Sequence, residues 1–463
     1  MLALRPYQEA AIERFRGKPG AFFHMEMRLG KTLTCIRWLK TFSPRTILIV
    51  APKTVLISWE KELLGEGLPF TNIADLNMKQ KMAYLQKPSN GYTLINYEAI
   101  SLTHPKKPKG SPLKYNGILN AFMAVVLDES TKIKNVQAKV TKIMLAAAPT
   151  IPIRACLTGL ANPQGWGNIW AQCAFVAGGV WMNHKNYYEW EYVHYLEFGF
   201  EKLIRPSSEV EIRKNFQQDA FCLTRKQAGI RNEKIRIVRQ GDLEPQTRTA
   251  YNSILKVWAL PGEEPGENST KYAMVVHSWL RRICGGIFPT KPPQFIDSWK
   301  YSELLGLLSD ELSNQSVVVW YSFNSELANS FKLLKEAGIS TTWITGECSF
   351  EDRKDRIGAF QDGSRRVILI QEMCGQFGID LSRADTCIYF STHYSYELRA
   401  QSEERIFAVG KPNDNLIIDF VTRDTIEEGI QENLAGKKSD AALLLARYRP
   451  HGLQTTSLLR SGA

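Results

Sequence analysis

The chain has 463 residues, of which 44% are apolar and 23% charged, a composition that predicts two to four globular domains and excludes a mainly disordered protein. No apolar run reaches the eighteen residues of a membrane-spanning helix, and the N-terminal sequence lacks the pattern of a signal peptide. The formal net charge of +11, from 58 basic and 47 acidic residues, fits a polyanionic partner as well as a simply soluble surface.

Short apolar runs bounded by turn-forming residues predict buried parallel strands in both halves of the chain. In the first half, the predicted strands are 46–52, 92–97, 124–129 and 154–159. In the second half, the predicted elements are strands 316–322, 340–345, 366–371, 386–391 and 415–421 and helices 325–337 and 349–361. This alternation of strand and helix predicts an α/β fold with parallel sheets.

The middle of the chain has a different pattern, in which helix-like and aromatic-rich segments dominate from about Trp166 to Arg282. A stretch with several glycines and prolines, 285–293, is typical of a linker. We therefore predict four segments along the chain. They are a first α/β lobe at 1–165, a mainly helical insertion with its linker at 166–295, a second α/β lobe at 296–440 and a tail at 441–463.

Eight cysteines are scattered through the sequence, and no two of them form a Cys-x-x-Cys pair. The seven histidines likewise show no His-x-x-x-His spacing. We therefore expect neither a disulfide framework nor a structural transition-metal site, and we expect most cysteines to be buried as small apolar side chains. This usage is typical of a reducing cytoplasm.

The stretch MEMRLGKT, at 25–32, predicts a phosphate-binding loop. Such a loop needs backbone N–H groups at a helix N-terminus, a lysine that reaches the phosphates and a hydroxyl group for Mg²⁺. Gly30, Lys31 and Thr32 provide these features. Met25 stands where such a loop usually begins with glycine, and we expect this to be tolerated because the position needs a compatible backbone, not glycine itself.

An acidic pair, Asp128 and Glu129, follows four apolar strand residues in the sequence AVVLDES. A carboxylate at the end of a buried strand can hold Mg²⁺, and its neighbour can orient an attacking water. Taken alone, the pair could equally be an acidic cap of the turn after the strand. Together with the Gly-Lys-Thr run about a hundred residues earlier, it predicts nucleotide binding.

The order of the motifs resembles that of superfamily 2 helicase-type motors, and specifically of the Swi/Snf-like DNA translocases. In the first half, the similar stretches are LRPYQ (4–8), MEMRLGKT (25–32, usually Asp-Glu-Met-Gly-Leu-Gly-Lys-Thr), ILIVAPKTVLISWEKEL (47–63), LINYEAI (94–100), VVLDESTKIKN (125–135) and RACLTGLANP (154–163). Later in the chain they are LTRKQAG (223–229), LRRICGG (280–286), VVVWYSF (317–323), ITGECSFEDRKDRIGAFQ (344–361), MCGQFGIDLSRADTCIYF (373–390) and QSEERIFAVGK (401–411). The resemblance covers about residues 1 to 435.

The resemblance implies two tandem RecA-like parallel-sheet lobes with a mainly helical insertion between them. It implies an ATP hydrolase of helicase or translocase type, which couples hydrolysis of Mg²⁺-ATP to translocation along DNA and remodels DNA or DNA–protein complexes. Duplex DNA is the favoured partner, single-stranded DNA is an alternative, and no membrane partner is expected. A minimal bacterial or phage motor is favoured, and hence the cytoplasm of a bacterial or phage-infected cell.

The same resemblance implies roles for individual positions. Those expected to contact the nucleotide are Arg5, Gln8, Met25, Arg28, Gly30, Lys31, Thr32, Gly378 and Asp380. Those expected to act in hydrolysis are Lys31, Asp128, Glu129, Gln401 and Arg405, with Mg²⁺ held by Thr32 and Asp128. Those expected to contact nucleic acid or couple it to the nucleotide are Lys53, Thr158, Gly375 and Gln376. Lys106 and Lys107 are expected to contact nucleic acid as well, because the loop 104–117 holds four lysines and no acidic residue. The alternative is that this loop is simply solvated and contacts no partner.

The sequence departs from the family's pattern at three places. Ser130 and Thr131 replace Ala-His after the acidic pair, and 160–161 reads Leu-Ala in place of Thr-Pro. In the stretch 401–411, the second of two family arginines falls on Ala408. An arginine finger there can contribute roughly 10³ to 10⁵ in rate. We predict that Arg405, one helical turn earlier, shares the face of Ala408 and takes over part of that role.

Arg399 and Lys411 are alternatives for the same role. Two other functions also remain open at this point. A strand-separating superfamily 2 helicase, acting on DNA or RNA, has the same order of motifs. An ATP-gated DNA-binding switch with little turnover would fit the alanine at position 408.

Overall fold

The structure, a computed structural model, describes residues 3–104, 113–162, 165–198, 201–230, 233–257, 270–290, 293–376, 379–408, 411 and 413–436. The chain divides into two compact units, Met1–Arg231 and Asn232–Ala463. Within the described ranges, no helix combines the length and the apolar character needed to cross a membrane.

The first unit alternates strands with helices. Its strands are β1 (Gly20–Met25), β2 (Thr46–Ala51), β3 (Phe70–Asn72), β4 (Gly91–Asn96), β5 (Ala124–Asp128), β6 (Ile153–Thr158), β7 (Tyr195–Phe198), β8 (Glu201–Ile204) and β9 (Ala220–Leu223). Its helices are α1 (Pro6–Arg14), α2 (Lys31–Lys40), α3 (Leu56–Gly65), α4 (Met78–Gln86), α5 (Tyr97–Leu102), α6 (Lys139–Ala147), α7 (Trp170–Val176), α8 (Tyr187–His194) and α9 (Pro206–Asp219). Short 3-10 turns lie at Ser130–Ile133, Ala148–Thr150 and Trp166–Ile169.

Seven strands of the first unit form one parallel sheet in the order β3-β4-β2-β5-β6-β1-β9. Alternate residues of β2 belong to two different hydrophobic clusters. Ile47 and Ile49 pack in one cluster, whereas Leu48 and Val50 pack in the other. Both faces of the sheet are therefore covered, which explains why its central strands are unbroken apolar runs in the sequence.

The second unit contains a second parallel sheet. Its strands are β10 (Lys234–Gly241), β11 (Ile287–Phe288), β12 (Gln294–Phe295), β13 (Val317–Tyr321), β14 (Thr341–Ile344), β15 (Val367–Gln371), β16 (Thr386–Tyr389) and β17 (Asn415–Thr422). Its helices are α10 (Pro245–Val257), α11 (Thr270–Cys284), α12 (Trp299–Ser309), α13 (Asn324–Glu336), α14 (Phe350–Gln361), α15 (Tyr396–Glu403) and α16 (Ile426–Ala435), and a 3-10 turn lies at Glu372–Gln376. The sheet has six strands in the order β10-β17-β16-β13-β15-β14.

The predicted α/β architecture with two tandem parallel sheets is confirmed. All nine predicted strands are present, each within two residues of its predicted ends, and both predicted helices appear as α13 and α14. The interval 166–295 is divided between the two units, because it supplies β9 to the first sheet and β10 to the second. Part of the stretch 285–293 forms β11, which pairs with β12 inside the second unit.

The cysteines follow the sequence prediction. Seven of the eight are buried, Cys222 is exposed, and all eight are free thiols. Burial raises the pKa of Cys35 well above its usual range, with a further contribution from the charge of Asp128. The Cys35 thiol therefore stays protonated and acts as a small apolar side chain.

Glu326 is a fully buried carboxyl group near the start of α13. Its Oε2 accepts a hydrogen bond from Ser391 Oγ. Burial raises the pKa of Glu326 to about 7, although the Ser391 bond and the charges of Lys300 and Arg281 oppose the shift and Glu427 adds to it. The folded protein therefore holds a proton on Glu326 at a pH where the unfolded chain has already lost it.

This proton makes the free energy of unfolding depend on pH. The contribution of Glu326 is fully present below pH 4.5 and falls by about 3 kcal/mol as the pH rises to 7, because only the folded state is protonated in that window. Urea unfolding of the wild type and of Glu326→Gln at pH 5, 6, 7 and 8 measures it. With rising pH, the free energy of unfolding of the wild type should fall relative to that of Glu326→Gln. A constant difference between the two proteins would contradict the raised pKa.

Candidate nucleotide site

The predicted phosphate-binding loop joins β1 to α2. Met25 is the last residue of β1 and is fully buried. Its backbone has the extended conformation of a strand, which any residue can adopt. Gly30 lies directly before α2 at φ 74° and ψ 36°, in the left-handed region that favours glycine. The glycine that the loop's geometry requires is therefore Gly30, and position 25 has no such requirement.

Lys31 is the first residue of α2, and its ammonium group folds back over the loop. Lys31 Nζ donates hydrogen bonds to Met25 O at 3.0 Å and to Glu26 O at 3.2 Å. Burial and then the charge of Lys31 lower the pKa of His24 to about 4, so that this neighbour adds no charge at neutral pH. The ammonium group thus lies beside the N-terminus of a helix, whose free N–H groups and dipole attract anions.

The first turn of α1 is tied to the same loop through Gln8, which is only 4% exposed. Gln8 Nε2 donates to Gly30 O at 3.2 Å, and Gln8 Oε1 accepts a hydrogen bond from the backbone N–H of Arg5 at 2.8 Å. A Cβ atom at position 30 would lie 2.5 Å from Gln8 Nε2, a second reason for glycine there. The structure therefore brings Gln8 and the loop together, with Arg5 at the N-cap of α1.

Asp128 ends β5 with a buried side chain. Its Oδ2 accepts a hydrogen bond from Trp59 Nε1 at 2.8 Å, and its Oδ1 accepts one from the backbone N–H of Glu129 at 2.9 Å. Burial raises the pKa of Asp128, whereas the Trp59 bond, the charge of Lys31 and the Glu129 N–H each lower it. Asp128 is thus a buried carboxylate within the electrostatic reach of Lys31.

Glu129 turns the chain sharply after β5. Its backbone lies in the left-handed region, at φ 52° and ψ 53°, and it precedes the 3-10 turn Ser130–Ile133. The carbonyl group of Asp128 is fixed by a hydrogen bond from Tyr97 OH at 2.9 Å. A non-glycine residue is strained in this conformation, and such strain concentrates at functional sites.

The side chains present fit a Mg²⁺ ion. This ion prefers oxygen ligands, and Asp128 offers a carboxylate while Thr32, in the first turn of α2, offers a hydroxyl group. The raised pKa of Asp128 means that its surroundings do not fully compensate a negative charge there. A divalent cation would supply that compensation, which favours Asp128 and Thr32 as the residues that could hold it.

A hydrogen-bonded chain of buried residues links Ser130, which follows the acidic pair, to Ala161, three residues after the end of β6. Ser130 Oγ donates to Gln172 Oε1 at 2.6 Å, and Gln172 Nε2 donates to Ala161 O at 2.9 Å. Thr158, the last residue of β6, is fully buried, and its Oγ1 accepts a hydrogen bond from Leu160 N at 3.1 Å. Gln172 was not predicted to belong to the site, although a lone glutamine within the apolar helix α7 was a usable signal.

Arg225 was also missed, and it contacts the loop from the far end of the first unit. β9 pairs with β1, and Glu26 N donates to Leu223 O at 2.9 Å. Glu26 Oε2 accepts a hydrogen bond from Arg225 N at 2.8 Å and lies 3.2 Å from Arg225 Nε. The stretch 223–229, identified in the sequence as a connector, thus lies against the phosphate-binding loop.

Other predicted residues lie elsewhere in the two units. Lys53 forms an exposed ion pair with Asp75, at 2.5 Å. In the second unit, Gly375 and Gln376 end the 3-10 turn after β15, and Asp380 O accepts a hydrogen bond from Gln361 Nε2 at 2.5 Å. Three predicted residues lie outside the described part of the chain, and these are Lys106, Lys107 and Gly378.

The helical face predicted for Arg405 and Ala408 is wrong. Helix α15 carries Gln401 but ends at Glu403, so Arg405 lies in the turn that follows and Ala408 lies beyond it. Arg405 N donates to Ser402 O at 3.1 Å, and Arg405 O accepts a hydrogen bond from Leu381 N at 3.0 Å. The chain therefore leaves the helix to join the segment before β16.

Arg399 is buried within the second unit and holds two carboxylates. Its Nη1 and Nη2 donate to the two oxygens of Asp419 at 2.6 and 2.8 Å, and its Nε donates to Glu403 Oε1 at 2.7 Å. The guanidinium group also stacks on Tyr389, 3.4 Å from the ring centre. Glu403 binds Arg236 as well, through two hydrogen bonds of 2.7 and 2.8 Å. Arg399 is therefore part of the internal framework of this unit.

Lys411 has a similar internal position. Its Nζ donates to Ala384 O at 2.7 Å and to Ile406 O at 3.2 Å, and it forms an ion pair with Asp385 at 2.5 Å. Both alternatives that the sequence offered for the missing arginine are thus engaged in contacts that hold the second unit together.

Comparison with known proteins identifies the family. A sequence profile described as the SNF2-related domain matches residues 10–285, and one described as the helicase conserved C-terminal domain matches residues 299–410. An uncharacterized ATP-dependent helicase of Mycoplasma genitalium is 23% identical over 92% of this chain and 41% of its own length. The transcription regulatory protein SNF2 of Saccharomyces cerevisiae is 22% identical over 90% of this chain and 26% of its own.

This chain therefore spans less than half the length of these curated relatives. A solved SWI2/SNF2 ATPase core from Sulfolobus solfataricus, in complex with dsDNA, gives a TM-score of 0.41 at 20% identity. The alignment covers 94% of this chain and 91% of that one. The SNF2-related profile covers more than half of the sequence, and the resemblance drawn from the order of its motifs is confirmed. The chain belongs to the SNF2-related family.

Proposed function

We propose that the chain hydrolyses ATP with Mg²⁺, that duplex DNA stimulates the reaction, and that hydrolysis drives translocation along DNA. One observation carries the proposal. The ammonium group of Lys31 and the buried carboxylate of Asp128 lie close enough that the charge of Lys31 lowers the pKa of Asp128. A cation for phosphate and a carboxylate for Mg²⁺ thus lie at the same edge of one parallel sheet, where ligands of such sheets bind.

The roles of the residues follow from this arrangement. The N-terminus of α2 and the Lys31 ammonium group bind the phosphates of ATP, and Gln8 supports the loop from α1. Thr32 and Asp128 would hold Mg²⁺, which supplies charge neutralisation on the phosphate oxygens when bound. Glu129, whose backbone turns directly after Asp128, orients the attacking water.

The DNA part of the proposal is supported by the family and by charge. The Mycoplasma relative is named an ATP-dependent helicase. The formal net charge of +11 favours contact with a phosphate backbone. A switch that binds ATP and DNA with little turnover is a second candidate, favoured by Ala408 and by the internal engagement of Arg399 and Lys411.

The test is ATP hydrolysis with no nucleic acid, with single-stranded DNA, with duplex DNA and with RNA. Duplex DNA is expected to give the largest stimulation, and Lys31→Ala is expected to abolish it. Binding of ATP without turnover would identify the switch and contradict the hydrolase. Separation of a forked duplex would identify a strand-separating helicase, because a duplex translocase displaces a third strand and leaves the fork paired.

A further inference from the structure

Asp128, the candidate Mg²⁺ ligand, is fixed by two aromatic side chains from the helices α3 and α5. Trp59 Nε1 donates to Asp128 Oδ2 at 2.8 Å, and Tyr97 OH donates to the carbonyl oxygen of Asp128 at 2.9 Å. The backbone N–H of Glu129 donates to the other carboxylate oxygen at 2.9 Å. Three hydrogen bonds therefore fix both the side chain and the backbone of this residue.

The topology of the first sheet explains why Trp59 reaches this carboxylate. β2 and β5 are parallel neighbours, with Val50 opposite Leu127, so both strands end at the same edge of the sheet. α3 begins at Leu56, shortly after the end of β2, and Trp59 lies near its start. Trp59 is 0% exposed and Asp128 is 5% exposed, so the hydrogen bond between them is shielded from water and strengthened by its surroundings.

Packing alone does not account for this hydrogen bond. Trp59 belongs to a hydrophobic cluster of the first unit, and so does Trp38, whose Nε1 donates to the backbone carbonyl of Phe15 at 3.0 Å. Three other buried tryptophans leave the indole N–H without a hydrogen-bond partner among the described residues, and these are Trp170, Trp190 and Trp320. The core of this chain therefore accommodates an indole group without a carboxylate as its partner.

A carboxylate that holds Mg²⁺ has to keep one orientation, because this ion tolerates little deviation from octahedral geometry. The hydrogen-bond partners of a metal ligand commonly contribute about 10- to 100-fold to metal affinity or activity. A carboxylate oxygen has two acceptor sites, so the bond from Trp59 leaves one site on Oδ2 of Asp128 for the ion or for one of its waters. The indole N–H is a donor only and does not itself bind a cation.

We propose that Trp59 is a positioning residue for Mg²⁺, which fixes the orientation of the Asp128 carboxylate through the hydrogen bond to Oδ2. The inference rests on the proposed function, because it assigns a further residue to the Mg²⁺-ATP site. It deepens that function, since the site then depends on a residue of α3 that acts only through Asp128.

The first test measures the equilibrium binding of a non-hydrolysable ATP analogue to the wild type and to Trp59→Phe, with Mg²⁺ and with a chelator in its place. The ratio of the two affinities reports how well the ion is held, and it requires no hydrolysis. Trp59→Phe keeps an aromatic ring and loses the N–H donor. It should lower this ratio by about tenfold or more and leave the affinity without Mg²⁺ within a few fold of the wild type. An unchanged ratio would overturn the proposal.

Trp38→Phe is the matched control. It removes an indole N–H from the same hydrophobic cluster, where the acceptor is a backbone carbonyl and not the candidate Mg²⁺ ligand. Both variants should lower the thermal midpoint, because each loses a buried hydrogen bond and part of a large side chain. Only Trp59→Phe should change the dependence of binding on Mg²⁺. An equal change in both variants would make Trp59 a residue of the core and nothing more.

A second measurement uses the folded wild type, so it decides the question even if Trp59→Phe does not fold. The indole N–H signals are followed by NMR with the ATP analogue alone and then after addition of Mg²⁺. The Trp59 signal should move when the ion is added, because its acceptor becomes a metal ligand, and the Trp38 signal should stay in place. A Trp59 signal that does not move, or that moves no more than that of Trp38, would contradict the proposal.

The two tests also separate this inference from the proposed function. If Mg²⁺ does not change the affinity of the wild type for the ATP analogue, the Mg²⁺ site itself fails, and the inference fails with it. A dependence on Mg²⁺ that persists in full in Trp59→Phe would overturn the inference alone and leave the proposed function standing.

Discussion

Glu129→Gln is expected to lower the kcat of ATP hydrolysis by roughly 10²- to 10⁴-fold and to change the affinity for Mg²⁺-ATP by no more than a few fold. The substitution keeps the shape of the side chain and removes the charge that attracts a water proton. The backbone of Glu129 lies in the left-handed region directly after Asp128, and glutamine differs from glutamate only at the end of the side chain. The loss should therefore appear in the chemical step and not in binding.

The measurement pairs steady-state hydrolysis, at saturating duplex DNA, with equilibrium binding of ATP. Glu13→Gln is the matched control, because Glu13 is an exposed carboxylate on α1 that pairs with Arg16. The control should keep the wild-type kcat. A loss below tenfold in Glu129→Gln would assign the positioning of water to another residue, and a parallel loss of ATP affinity would make Glu129 a binding residue.

Most of the missed strands are exposed, short or at the edge of a sheet, although the buried strand β1 was missed as well. β5 and β13 are buried along their whole length, so each is an unbroken apolar run that the sequence displays directly. β10 lies at the edge of its sheet, and its sequence KIRIVRQG mixes apolar with charged and polar residues. β9 has only four residues. Such strands are defined by their pairing partners, which local sequence does not contain.

In the candidate site, too, some features could be predicted from the sequence and others could not. Lys31, Asp128 and Glu129 could be predicted because each lies in a short motif whose residue types determine the chemistry. The contacts that hold these motifs in place connect segments that are far apart in the sequence. Trp59 reaches Asp128 across 69 residues, and Arg225 reaches Glu26 across 199. No local pattern encodes such pairs. The sequence therefore identified the stretches that contain these residues but not the contacts between them.

The error at Arg405 has a physical cause. The prediction placed Arg405 and Ala408 on one helix, because the two residues are one helical turn apart in the sequence. Ile406 and Phe407, which follow the helix, are both buried. By leaving the helix after Glu403, the chain buries both side chains and satisfies the N–H of Leu381. Tertiary packing therefore overrode a weak local preference.

Arg399→Ala is expected to lower the free energy of unfolding by about 3 to 5 kcal/mol. The substitution leaves Asp419 buried without its cation, whereas Glu403 keeps Lys234 and Arg236. Breaking a buried pair on one side costs far more than the pair itself contributes. Arg236 contacts the same Glu403 from a half-exposed position, so Arg236→Ala should cost about 1 kcal/mol or less and serves as the control. Urea unfolding followed by circular dichroism measures both.

The Arg399 variants also separate two explanations of the alanine at position 408. If Arg399 were the arginine that contacts phosphate, Arg399→Ala would lose hydrolysis and keep its stability. Its bidentate contact with Asp419 and its stacking on Tyr389 favour the opposite result. Arg399→Lys retains the charge but cannot reproduce the two-pronged hydrogen bonding, so its stability should lie between those of the wild type and Arg399→Ala. A full loss of hydrolysis at unchanged stability would contradict a purely structural role for Arg399.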